Sequence, residues 1–337
     1  MRKIRIIDSI IYIETGVFSN LSKHIKDIYE NNDIYVVTDT TLKKKYGNKL
    51  ASILSDFDVK FFVYEPGESN KNIDTYQQLL SKMIEDGIKR TSLIIGFGGG
   101  AVLDMTGFIA STLYRGTRLV SIPTTIISQI DASIGGKNGV DFLGYKNVIG
   151  NFYNPLAIFI DPEFINDLPN SELTNGYGEI IKTALIGDKL LFNFIKNNSK
   201  LDEELIIRLV SVKVNVVEQD YKDVSTRRIL NFGHTMGHAI ESKSKFKFSH
   251  GEAIAHGMIF AIKLGMKLGI TNPDVLDQVK EIFNKYNLAK EEINYKEYLD
   301  YIKYDKKSDS KGIEFIFIKD IGIPEIKFIT FEDCENI

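Results

Sequence analysis

One cysteine, Cys334, stands in a chain of 337 residues, so no disulfide can close within it and nothing in its cysteine usage argues for an oxidising compartment. There is no basic excess either. The net charge is -3 and no run of five Lys or Arg residues occurs, so a nucleic-acid partner is not expected. No uninterrupted apolar run marks a secretory leader: the opening MRKIRIIDSIIYIETG is broken by Asp8 and Glu14 and reads as two short strands. The least charged stretch, residues 94–113, is long enough for a bilayer. Its three consecutive glycines and Asp104 suit a buried strand, loop and helix instead. A cytoplasmic protein with no membrane partner is therefore expected. There is no internal repeat and no low-complexity linker. What the chain does have is 43% hydrophobic and 26% charged residues, a globular composition with enough length for two domains.

The first half alternates strand-like and helix-like segments. Short apolar runs at 34–38, 60–64, 93–95 and 119–122 read as strands, and 19–31, 41–55 and 72–88 as helices. Such alternation implies a parallel sheet with helices on both faces. After Asp161 helical periods dominate, at 205–217, 233–242 and 251–268, and only 313–318 with 325–328 looks like a hairpin. The expectation is an α/β Rossmann-like domain over 1–160 and a mainly α-helical domain over 161–337.

Gly96-Phe97-Gly98-Gly99-Gly100 follows a strand and opens a helix, a context in which backbone N–H groups and the helix start favour a phosphate. It comes too late in the chain for an ordinary Rossmann fingerprint. Asp39 ends an earlier strand and suits either a ribose contact or a helix cap. Four of the five histidines fall within 23 residues: His234 and His238 at helical i, i+4 spacing, then His250 and His256. That clustering favours a metal site with imidazole and carboxylate ligands, suited to zinc or to cobalt or iron. Glu179, Asp220, Glu241 and Glu252 compete for the carboxylate, and His238 is open to being a ligand or an acid–base group. His24 reads as an ordinary surface residue. Residues 131–137 (DASIGGK) with Lys146-Asn147 read as glycine-rich loops for an anionic, polyhydroxylated ligand.

These pieces resemble the 3-dehydroquinate synthase family of sugar phosphate cyclases. The motifs are GGGAVLDMTGF (98–108), YRG (114–116), IPTT (122–125), QIDASIGGK (129–137), YKNVIG (145–150), GEIIK (178–182), RRILNFGHTMGHAIE (227–241), HGEA (250–253) and DKK (305–307). They run in order over nearly the whole chain. The resemblance implies Glu179, His234 and His250 as metal ligands for zinc, with cobalt as an alternative. It implies NAD at Asp39, Glu68, Lys71, Gly99, Gly100, Asp104, Thr124 and Thr125, with Lys137 and Lys146 also near. It implies substrate contacts at Arg115, Asp131, Lys146, Asn147 and one of Lys306 or Lys307. Lys137, Lys182, Lys213, Arg227, Asn231 and His238 match catalytic positions. Arg115 matches an arginine given across a homodimer interface. The sequence departs from the family at Asp223, Ser225 and Thr226, at Asp167 and at Asn138.

The implied substrate is 3-deoxy-D-arabino-heptulosonate 7-phosphate and the implied product 3-dehydroquinate, in the shikimate pathway. The implied reaction runs through transient oxidation by NAD, phosphate elimination, reduction and intramolecular aldol closure, with NAD regenerated each turn. Rival readings are a related cyclase, such as an aminodehydroquinate or 2-deoxy-scyllo-inosose synthase, and a metal-dependent alcohol dehydrogenase of the glycerol dehydrogenase type. The many anion-binding lysines argue against the last.

Overall fold

The protein, seen in a computed structural model, is described over residues 1–244, 247–302 and 312–335. It forms two compact units. The first comprises Met1–Leu168 and Leu201–Val210, the second Pro169–Lys200 and Ser211–Ile337.

The first unit holds β1 (Arg2–Ile6), β2 (Ser9–Ile13), α1 (Leu21–Lys26), β3 (Asp33–Asp39), α2 (Thr40–Ile53), β4 (Asp58–Tyr64), α3 (Ile73–Glu85), β5 (Leu93–Gly98), α4 (Gly100–Thr112), β6 (Arg118–Pro123), β7 (Lys137–Phe142), β8 (Tyr145–Phe152) and β9 (Ala157–Ile160). Seven strands make one sheet in the order β1-β2-β9-β6-β5-β3-β4. All its pairings are parallel except β1 with β2, so the expected parallel sheet carries an antiparallel edge strand. Every residue of β5 is buried, as befits a central parallel strand covered on both faces. The two-residue alternation of a strand then sorts its side chains. Leu93, Ile95 and Phe97 join Ile34 and Val36 of β3 in one core, and Ile94 joins Tyr35 and Val37 in the other. The C-terminal ends of β3, β5 and β6 carry Asp39, Gly98 and Pro123, and the Thr124 N–H donates to the Gly98 carbonyl at 3.0 Å. In open α/β sheets this is the edge where ligands bind.

Two elements differ from the sequence reading. Residues 157–160, at the end of the expected first domain, are assigned no strand in the sequence reading, yet β9 inserts between β2 and β6. The stretch holding Lys137, Lys146 and Asn147 reads as loops, but β7 and β8 form an antiparallel hairpin. Its turn, Leu143-Gly144, has φ of 51° and 81°, the left-handed geometry of a two-residue hairpin. Frequent glycines and polar residues hide the strand period, and packing on α4 supplies what the pattern lacks. A Cβ on Gly107 of that helix would stand 1.7 Å from the Asn138 side-chain oxygen, so the helix and hairpin meet where no side chain fits.

The second unit holds α5 (Asn170–Gly187), α6 (Lys189–Asn197), α8 (His234–Lys243), α9 (His250–Lys267), α10 (Asp274–Lys285), α11 (Leu299–Ile302), the hairpin β10 (Gly312–Asp320) with β11 (Ile323–Thr330), and α12 (Phe331–Glu335); α7 (Glu203–Gln219) is divided between the units. Helices α5, α8 and α9 pack without room for side chains at their crossings. A Cβ on Gly178 of α5 would lie 2.5 Å from Gly251 Cα, and one on Gly257 of α9 would lie 1.9 Å from the Gly233 carbonyl. Backbone-to-backbone approach brings neighbouring residues of three helices to one point. Among the described residues no helix is long and apolar enough to cross a membrane.

Candidate active site

That point is occupied by Glu179 on α5, His234 at the start of α8 and His250 at the start of α9. Their ligand atoms all lie within 4.8 Å of one another. His250 Nε2 is 3.2 Å and His234 Nε2 3.5 Å from Glu179 Oε1. Each ring is anchored through its other nitrogen, His234 Nδ1 at 3.3 Å from the Phe232 carbonyl and His250 Nδ1 at 3.3 Å from Glu241 Oε1. His238 stands one helical turn beyond His234, with ring centroids 5.3 Å from His234 and 6.4 Å from His250. Its side chain is exposed beside the cluster.

Lys182, one turn along α5, puts Nζ 2.5 Å from Glu179 Oε2, and both are buried. Burial alone would raise the pKa of Glu179. The lysine and the two imidazoles reverse this and hold the carboxyl well below the usual range. Burial pushes His234 down, keeping its ring neutral despite Glu179. Burial also works against a charged His250, but its hydrogen bonds to Glu179 and Glu241 win and raise it to about 9.

The four competing carboxylates part company in the fold. Glu252 is spent on a capping box with Ser249, which sets the start of α9 under His250. Asp220 accepts backbone N–H groups from Val224, Ser225 and Arg227. Burial would raise Asp220, yet those donors bring it down to about 2. Glu241 meets the far nitrogen of His250, and only Glu179 faces both rings. His256 packs edge-on against Phe248, a core histidine whose pKa burial lowers.

Of the remaining residues singled out in the sequence, Arg227 is buried, with Nη1 donating to the Tyr221 carbonyl at 2.6 Å. Lys213 is buried on α7 and Asn231 closes the turn ahead of α8. Lys306 and Lys307 lie outside the described residues.

In the first unit, Gly99 caps α4 and Gly100 begins it. A Cβ on Gly99 would be 3.2 Å from Thr125 Cγ2, so the glycine keeps a cradle open at the helix start. Lys71 is buried with Nζ 2.7 Å from Glu68, 3.1 Å from Asp104 and 2.9 Å from the Asn147 side-chain oxygen. Burial works against its charge, but Asp104 and Glu68 raise its pKa. Burial lifts Asp104 to about 6 although Lys71 pulls it down. Asp39 caps α2, accepting from the Leu42 N–H at 2.8 Å. Asp131 sits in a π-turn over Ser128–Ala132, and Thr124 is buried while Thr125 is half-buried. Lys137 opens β7, Lys146 lies on the exposed face of β8, and Arg115 is exposed with a left-handed φ of 62° after Tyr114 at 52°.

One residue escaped the sequence reading. Asp141 of β7 accepts the Asn147 N–H at 2.8 Å, and its own N–H donates to the Lys71 carbonyl at 2.8 Å. It ties the hairpin to the Lys71 cluster, and only the pairing of β7 with β8 would have pointed to it.

Comparison with known proteins identifies the family. The 3-dehydroquinate synthase N-terminal family pattern matches residues 61–175 and the C-terminal pattern residues 176–308. A 3-dehydroquinate synthase of Clostridium acetobutylicum is 42% identical over 323 residues, covering 93% of this chain and 91% of that protein. The chain belongs to the 3-dehydroquinate synthase family. Solved cyclases share the fold. A 2-deoxy-scyllo-inosose synthase, complexed with carbaglucose-6-phosphate, NAD+ and Co2+, superposes with a TM-score of 0.90 at 22% identity, covering 99% of this chain and 98% of that one. A 2-epi-5-epi-valiolone synthase of Streptomyces hygroscopicus, with NAD+ and Zn2+ bound, gives 0.84 at 26% identity, covering 99% and 97%.

Proposed function

We propose that this chain converts 3-deoxy-D-arabino-heptulosonate 7-phosphate to 3-dehydroquinate and phosphate, as a homodimeric, cytoplasmic lyase of the shikimate pathway that uses NAD and zinc. The observation that carries the reading is the convergence of Glu179, His234 and His250 beside a buried Lys182, in a chain of this family.

The residues suit the two groups the reaction needs. Two imidazole nitrogens and one carboxylate are the donor set of a catalytic zinc or cobalt site that keeps a position open. The cradle at Gly99, where a Cβ would press on Thr125, and the start of α4 suit a pyrophosphate. When bound, the ion supplies Lewis acidity toward adjacent hydroxyls and the dinucleotide a reversible hydride acceptor. The protein's own residues do the rest. Lys182 keeps Glu179 ionised, so the ligand carries its full charge at neutral pH. His238, exposed at the rim of the cluster, is suited to pass a proton. Lys213 and Arg227 offer buried positive charge for phosphate and carboxylate groups, each charge-assisted contact contributing roughly 1.5–3 kcal/mol. Lys137, Lys146 and Asn147 are carried on one hairpin, and Lys71 anchors Asn147. Exposed Arg115 suits a contact made to a second copy's substrate.

The test is a turnover assay with the purified protein, zinc, the heptulosonate phosphate and NAD below the enzyme concentration. One phosphate released per carbocycle, the product identified by mass, and no accumulation of NADH absorbance are expected. Conversion of the added NAD to NADH that then stops, without phosphate release, would replace this reading with an alcohol dehydrogenase.

A further inference from the structure

Glu241 has no part in the reaction as set out above, although it is a buried carboxylate at the rim of the metal cluster. It lies seven residues, two helical turns, beyond His234 on α8, so His234, His238 and Glu241 share one face of that helix. Its Oε1 is 3.3 Å from His250 Nδ1, while the opposite ring nitrogen, Nε2, is 3.2 Å from Glu179 Oε1. The two nitrogens of an imidazole point to opposite sides of the ring. Glu241 and Glu179 therefore grip His250 from two sides, and Glu241 cannot meet an ion bound at Nε2 through the same ring edge. His234 is held in the parallel way, its Nδ1 facing the Phe232 carbonyl.

We propose that Glu241 is the positioning residue of the metal centre: it accepts the Nδ1 hydrogen of His250, fixes that tautomer and ring plane, and leaves Nε2 turned toward the ion. The proposal rests on the metal-site reading above. Hydrogen-bond partners of ligating histidines typically set metal affinity by about 10–100-fold, by orienting the ring and raising its basicity. The helix supplies the precision. His250 begins α9, fixed by the Ser249–Glu252 capping box, and the glycine crossing of Gly257 with Gly233 sets α9 against the start of α8.

The experiment measures zinc affinity by chelator competition on the full-length wild type and on Glu241→Ala, Glu241→Gln and His250→Ala, each checked for folding by circular dichroism. Glu241→Ala is expected to weaken zinc binding about 10–100-fold, and Glu241→Gln, whose amide oxygen still accepts from Nδ1, by several-fold less. Cobalt-substituted Glu241→Ala at full loading should also show a displaced visible absorption band, which a merely structural role would not cause. If Glu241→Ala misfolds, Glu241→Asp, with the carboxylate drawn back by one methylene, takes its place with the same expected loss. Unchanged affinity in every folded variant of Glu241, alongside lost binding in His250→Ala, overturns the proposal and leaves the metal site standing. Loss in Glu241→Ala as complete as in His250→Ala also overturns it, making Glu241 a ligand. Wild-type affinity in His250→Ala is a separate outcome, which refutes the metal site itself.

Discussion

The two units each bury a lysine against carboxylates, and they do so differently. In the second unit Lys182 and Glu179 have side-chain exposures of 2% and 1%, and the pair sits on rigid helices that meet through glycines. In the first, Lys71 is 3% exposed but its partners Glu68 and Asp104 are 43% and 19% exposed, on segments that follow strand ends. The helical cluster is closed on the lysine side and presents its nitrogens to one point, as a metal needs. The strand-end cluster is open on the carboxylate side, as a ligand with many hydroxyls needs. Small lateral errors matter more in the first kind of site than in the second, because metal–ligand geometry tolerates only about 0.2 Å.

The most severe way to break the helical cluster is to remove a ligand. His250→Ala should lower zinc affinity at least about 100-fold, beyond the range for losing a supporting partner, and abolish turnover with it. His238→Ala should spare zinc and lower kcat alone. Equal zinc loss in both, by chelator competition, would make His238 a ligand.

Next in size is a change that touches no ligand. Gly251→Ala would set a Cβ 2.1 Å from the Asn175 carbonyl oxygen, where α9 meets α5. Overpacking of this kind typically costs about 1–3 kcal/mol, or several degrees of Tm. Zinc affinity should fall with it, since Glu179 and His250 are aligned by that crossing. The matching change in the strand-end cradle is Gly99→Val, whose added bulk meets Thr125 Cγ2. It should weaken NAD binding about tenfold by calorimetry and leave zinc affinity unaltered. Zinc affinity that falls as well would dissolve the contrast between the units.

How much of this was legible in the sequence depends on how local the signal is. The spacing of His234 and His238 is a helix periodicity, and α8 follows it. The apolar runs of β3, β5 and β6 are buried on both faces and so stand out. The hairpin of β7 and β8 did not, because its glycines and polar residues break the two-residue alternation and its fit comes from α4. Residue chemistry alone left four carboxylates in competition. The family resemblance singles out Glu179, and the tertiary crossing of α5, α8 and α9 gives the physical reason: Glu179 faces two rings, Glu241 backs one, and Asp220 and Glu252 cap backbone. Asp141 acts through a hairpin register and so had no local signal at all.

The smallest expected effect sharpens the open cluster. Burial raises Asp104 to about 6 against an ordinary value of 3.8, so between those pH values the folded chain binds more protons there than the unfolded chain. Stability from this group is therefore fully present below about pH 4 and is lost as pH rises through about 6. Asp104→Asn removes the titration. The stability of wild type relative to this variant, from urea unfolding at fixed zinc, should fall by on the order of 1–3 kcal/mol between pH 4 and 6 and stay level above pH 7. The upper figure is a shift of about two units at 1.36 kcal/mol each, and the partial exposure of Asp104 pulls it down. A difference that does not vary with pH would mean that Lys71, 3.1 Å away, keeps Asp104 ionised throughout. The strand-end cluster would then be a fixed ion pair like that of Lys182 with Glu179, and the contrast between the two units would come down to exposure alone.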